Sequence, residues 1–176
     1  MKRQRYTHTF GPLYNKDSKI LIVGTFPSVK SREGEFYYHH PMNRFWKVIS
    51  RITGCHEPVC ISEKKEMLLK NRIALWDVVK TCDIEGSSDS SIRNVVPNDI
   101  GFLLDNSKID KIYANGNKAF ELYNTYCFSK TGKKAVKLPS TSPANAAYSL
   151  NRLVGCWESI IFPDRKLDTK KQHNIY

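Results

Sequence analysis

Lys19-Ile20-Leu21-Ile22-Val23-Gly24, running straight into Thr25-Phe26-Pro27-Ser28, is the stretch on which the fold turns. A strand with one wet face alternates apolar and polar residues. An unbroken apolar run of strand length needs cover on both faces, as strands of parallel sheets have. Residues 72–76 (RIALW) repeat the pattern, and residues 110–114 (DKIYA) and 134–138 (KAVKL) carry weaker versions of it. Helical periodicity fills the intervals. Phe45, Val48, Ile49 and Ile52 share one face of a helix over 44–52. Ser62 is the expected N-cap of a helix over 63–70, and Asn98 of one running to Leu104. Two further helices are expected over 118–126 and 146–154, the latter closed by Gly155. Strands alternating with helices predict an α/β fold, a three-layer α/β/α sandwich around a central, mainly parallel four-stranded sheet.

With 176 residues the chain predicts a single domain over 1–164 and a basic C-terminal tail over 165–176. The run Glu85-Gly86-Ser87-Ser88-Asp89-Ser90-Ser91 reads as a loop, since neither half of the chain would make a comfortable core alone. No apolar run approaches the ~20 residues of a membrane span, and no apolar stretch follows the basic start, so neither membrane nor secretion is expected. Five scattered cysteines predict reduced thiols and an intracellular location. Cys55 and Cys60 lack the second half of a metal site, so no metal is expected. The net charge of +11 favours a polyanionic partner. Lys30, Arg32, Arg44 and Lys47 surround one unusual segment, and Lys130, Lys133, Lys134 and Lys137 lead into another.

In open parallel sheets ligands bind beyond the carboxyl ends of the strands. There the chain carries Gly24-Thr25-Phe26-Pro27-Ser28, whose Gly and Pro let the backbone approach a ligand. A dozen residues on, Tyr37-Tyr38-His39-His40-Pro41-Met42-Asn43-Arg44-Phe45-Trp46 combines aromatic faces for stacking with basic groups for phosphate. Asn43 also suits a helix cap, and His40 a loop hydrogen bond. Leu138-Pro139-Ser140-Thr141-Ser142-Pro143 is a stiff hydroxyl-rich loop that could cap a helix or grip phosphate. Asp77 and Asp89 are the candidate carboxylates. Phosphate-loop, dinucleotide, nucleophile-elbow and zinc-protease signatures are absent from the sequence. On residues alone the reading stops at an α/β nucleic-acid or nucleotide binder or enzyme.

Gly24-Thr25-Phe26-Pro27-Ser28, His40-Pro41-Met42-Asn43-Arg44-Phe45-Trp46 and Leu138-Pro139-Ser140-Thr141-Ser142 together resemble the uracil-DNA glycosylase superfamily. With Lys30-Ser31-Arg32 and Phe36-Tyr37-Tyr38, they look most like its DNA-deoxyinosine branch. The resemblance implies a monofunctional, cofactor-free DNA glycosylase acting on DNA that holds a deaminated base, hypoxanthine first. A monomer is expected. Two positions depart from the superfamily: Phe26 stands where an Asp or Asn usually positions water, and Leu138 where a His or Asn is usual. The branch resemblance implies that Asn43 takes over catalysis. Its amide matches the O6 acceptor and N1–H donor of hypoxanthine. The resemblance further implies that Gly24, Thr25, Pro27 and Ser28 approach the substrate, that Phe26 forms a wall, and that Tyr38 offers a ring face. His40 would contact phosphate or protonate the leaving base, and Ser140, Thr141 and Ser142 would grip flanking phosphates. The competing readings are a uracil- or mismatch-directed glycosylase, a catalytically silent binder of damaged or single-stranded DNA, and a hydrolase of free nucleosides.

Overall fold

The structure, a computed structural model, describes residues 2–164. The basic tail expected over 165–176 lies outside the described residues. The chain begins with β1 (Gln4–Thr7), β2 (Ile20–Gly24), α1 (Val29–Glu33), α2 (Phe45–Thr53) and α3 (Ile61–Lys70). β3 (Ile73–Asp77), β4 (Val79–Ile84), β5 (Arg93–Pro97) and α4 (Ile100–Asp105) follow. β6 (Lys111–Asn115), α5 (Asn117–Tyr126), α6 (Phe128–Thr131), β7 (Ala135–Leu138) and α7 (Leu150–Ile161) complete it.

The four expected strands form one sheet in the order β3-β2-β6-β7, with every pair parallel. Its pleat sends Leu21, Val23, Ala74, Ile112 and Ala114 to one face and Ile22, Ile73, Leu75, Tyr113 and Leu138 to the other. The second face is covered by α2, α3 and α7, through Phe45, Ile49, Leu68, Leu153 and Trp157 among others. The first is covered by α4 and α5, through Ile100, Leu103, Ala119 and Tyr123, and by a small second sheet. That sheet, β1-β4-β5, is antiparallel throughout and was not expected from the sequence. In β4, Cys82 and Ile84 share the buried face, and Val79 joins the same core only because the register against β5 shifts between Val79 and Asp83, while Lys80 stays exposed.

Several helix boundaries differ from expectation. α3 starts after Cys60, and Ser62 lies inside it, its hydroxyl 2.9 Å from the Cys60 thiol. Asp99, one residue beyond Asn98, caps α4 by accepting from the Phe102 N–H. Asn98 instead donates to the Asp77 carbonyl at 2.8 Å, pinning the bend between β3 and β4. The expected helix over 146–154 is α7, which starts four residues later behind Ser149 and runs through Gly155 to Ile161. The delay reflects Arg44, whose guanidinium donates to the carbonyls of Thr141, Ser142, Asn145 and Tyr148 and holds that segment as loop. Among the described residues, no helix is long and apolar enough to cross a membrane.

Candidate active site

The carboxyl ends of β2, β3, β6 and β7 open into a cavity of about 710 Å³. Ligand pockets span roughly 300–1,000 Å³, so a nucleotide fits its scale. Gly24, Thr25, Phe26, Pro27, Ser28, Tyr38, His40, Asn43, Ser140, Thr141 and Ser142 all line it. The sequence motifs therefore converge in space on a single site.

The exit of β2 forms the floor. A Cβ on Gly24 would lie 2.2 Å from Asp77 Oδ1 and 3.0 Å from the Tyr38 hydroxyl, so only glycine fits. Ser28 caps α1 by accepting from the Ser31 N–H, which fixes the turn. Phe26 is 7% exposed and meets the His8 ring edge-on at 6.0 Å. It is a wall, and it belongs to the core beneath.

Tyr38 holds a left-handed backbone with φ of 50°, a conformation costly for a tyrosine. One ring face is stacked on Phe45 at 4.1 Å, so only the opposite face remains for a base. Its hydroxyl is buried without a well-formed hydrogen bond. Burial first, then the charge of Asp77, pushes that hydroxyl far above the usual phenol range, while contact with Asn115 pulls the other way. It therefore stays protonated, as a donor.

Asn43 sits one residue before the Arg44 boundary of α2, and its Oδ1 accepts from the Phe45 N–H at 2.9 Å, as a cap does. The same oxygen accepts from the Thr141 hydroxyl at 2.9 Å. A backbone N–H can meet only the amide oxygen, so the orientation is fixed and the Nδ2 hydrogens are what Asn43 has left to offer. This narrows the sequence reading. The amide cannot accept from N1–H of a base while both anchors hold; it donates. His40 Nδ1 accepts from the Met42 N–H at 3.1 Å, so the neutral ring carries its proton on Nε2.

Thr141 is fully buried and joins three chain segments rather than facing a phosphate. Its hydroxyl accepts from Asn115 Nδ2 at 3.0 Å, its N–H donates to Asn115 Oδ1 at 3.0 Å, and its hydroxyl donates to Asn43. Ser140 and Ser142 brace the same loop, accepting from the N–H groups of Ser142 and Ala144. Arg32 and Arg44, expected among the phosphate-binding cations, donate to backbone carbonyls instead. Leu138 is fully buried core.

The sequence reading left several wall residues unassigned. Asn115, Gly116, Asn117 and Lys118 bring the exit of β6 and the N-terminal end of α5 into the cavity, an end that favours negative charge. Gly116 has φ of 97°, and a Cβ there would lie 3.0 Å from Ser140 Cβ. The exit of β6 lay where strand-end binding directs the search, but Asn115-Gly116-Asn117 matches no motif. His8 donates no readable signal at all: its Nε2 lies 2.8 Å from Asp77 Oδ2, with the two side chains 3% and 6% exposed. Asp89, an exposed residue at the cavity rim, belongs to the expected loop. The cavity wall screens its carboxyl from water on one side and pushes it up to about 6, with Thr25 opposing, Asp77 adding and Lys118 opposing.

The sequence pattern of the uracil DNA glycosylase superfamily matches residues 12–160. A protein named hypoxanthine DNA glycosylase from Methanosarcina acetivorans is 37% identical over 153 residues, covering 86% of this chain and 95% of that protein. Another of that name, from Methanosarcina barkeri, is 32% identical over 114 residues, covering 64% and 72% respectively. The solution NMR structure of a uracil DNA glycosylase candidate from Methanosarcina acetivorans superposes with a TM-score of 0.74 at 35% identity, covering 86% of this chain and 93% of that one. Sequence pattern, relatives and fold agree along almost the whole described chain: it belongs to the uracil DNA glycosylase superfamily.

Proposed function

We propose that this protein is a monofunctional DNA glycosylase that takes a deaminated nucleotide out of the stack and hydrolyses its N-glycosidic bond, leaving an abasic site. Hypoxanthine is its preferred base. The observation that carries the reading is the Asn43 amide, locked by Phe45 and Thr141 so that its donors are what it presents in the strand-end cavity. Bond cleavage places negative charge on the departing base, and a preorganised donor that need not reorient stabilises that charge most. Flipping costs a few kcal/mol, less at a mispair. The free face of Tyr38 and the Phe26 wall would receive the base, while Lys118 and the N-terminal end of α5 would meet the phosphates.

A carbonyl oxygen, which Asn43 can donate to, is present in both hypoxanthine and uracil. The preference for hypoxanthine therefore rests on room for a purine in about 710 Å³ and on the two relatives that carry that name. Phe26 and Leu138 are packed into the core, so on this reading catalysis rests on neither of them. The same reading carries an intracellular location, beside DNA.

The test is single-turnover excision from end-labelled oligonucleotides bearing one hypoxanthine or one uracil, followed by alkaline cleavage. Faster release of hypoxanthine is expected. Cutting at uracil alone would move the specificity to the other base, and binding without cutting would make the protein a binder.

A further inference from the structure

Hydrolysis needs a group that takes a proton from the attacking water. Most polar side chains around the cavity cannot do so. Asp77 is held by His8 through Oδ2 at 2.8 Å, and its Oδ1 is pressed against Gly24. The Asn43 oxygen already accepts two hydrogen bonds. His40 Nδ1 already accepts from the Met42 N–H, which leaves Nε2–H as a donor. The Tyr38 hydroxyl is kept protonated by burial and is likewise a donor.

Asp89 differs from all of these. It lines the cavity at its exposed rim, and among the described residues no well-formed hydrogen bond or ion pair occupies its carboxylate. Its turn is braced from within, with Ser91 Oγ donating to the Ser88 carbonyl at 2.7 Å and accepting from the Glu85 N–H at 2.8 Å. It is also tied to α1, whose Val29 N–H donates to Ser87 Oγ at 2.9 Å. These contacts fix the backbone that carries the carboxylate to the cavity rim, which a catalytic base requires.

We propose that Asp89 is the catalytic base of the glycosylase reaction, holding and deprotonating the attacking water. The inference rests on the glycosylase reading above. The water oxygen bonds to C1′ as one of its O–H bonds breaks, and that proton passes to the Asp89 carboxylate. The C1′–N9 bond breaks, its electron pair leaves with hypoxanthine, and the departing base takes a proton from solvent. Asp89 then returns its own proton to solvent. The carboxylate is the working form, so activity is present above the Asp89 pKa of about 6 and is lost as pH falls through it. The groups acting on that titration are Asp77, Lys118, Tyr38, Cys82 and the Thr25 hydroxyl.

The experiment measures single-turnover hypoxanthine release from pH 5 to 9 by wild type and Asp89→Asn, together with DNA Kd and Tm. We expect a wild-type rate that rises through about pH 6. Asp89→Asn should be slower by roughly 10²-fold at the plateau, without that acid limb and with Kd unchanged or tighter. Asp89→Ala with added formate should recover part of the lost rate, because formate restores a carboxylate without restoring a structural contact. A rate close to wild type in Asp89→Asn, or an acid limb that survives the substitution, would overturn the assignment while leaving the glycosylase reading intact. A wild type that excises neither base would overturn both.

Discussion

Gly24 shows how little freedom the floor of the site has. An added Cβ would sit 2.2 Å from Asp77 Oδ1, and that carboxylate cannot retreat because His8 holds its other oxygen in a buried setting. Gly24→Ala should therefore cost roughly 1–3 kcal/mol. Thermal unfolding reads this as a lower Tm, and an unchanged Tm would mean that Asp77 is not fixed. The same immobility explains what Asn43 can do. An amide whose oxygen is held twice is a rigid donor, whereas a loosely held one would reorient with its solvent as charge develops.

At the level of elements, the site is a joint between loops leaving different strands. Thr141, after β7, links Asn115 at the end of β6 to Asn43 ahead of α2. Thr141→Val keeps the shape but leaves Asn115 Nδ2 unpaired in the interior, at a cost of roughly 1–3 kcal/mol. Excision should slow while DNA binding changes little, and Thr141→Ser should restore most of the rate. Equal losses in Kd and rate would instead place Thr141 on the DNA. β2 and β3 were legible because burial on both faces leaves an unbroken apolar run, whereas the edge strand β7 is half exposed and showed only a weaker pattern. Each of the four parallel strands lies within a residue of its expected bounds. β1 (QRYT) and β5 (RNVVP) leave no such mark, being short, polar and largely exposed. α7 begins late because Arg44, about a hundred residues away in sequence, holds the preceding loop by its carbonyls. A periodicity argument has no access to such a contact. Local motifs brought most of the cavity wall into view; the His8–Asp77 pair and the Asn115–Thr141 bridge depend on distant segments meeting.

For the whole molecule, the division of labour follows the sheet. Two apolar layers make the strands rigid, and the loops at their carboxyl ends inherit that rigidity through Thr141, Arg44 and Ser28. The formal charge of +11 gives the surface its attraction for DNA, while the arginines nearest the cavity maintain loop shape instead. Affinity and chemistry are therefore separable, and a variant can lose one while keeping the other. The most direct test compares hypoxanthine release by wild type and Asn43→Ala on the same oligonucleotide, with Tm and DNA Kd measured alongside. Loss of the fixed donor should slow release by roughly 10²–10³-fold while the variant stays folded and still binds DNA. A folded Asn43→Ala that releases hypoxanthine at the wild-type rate would contradict the account.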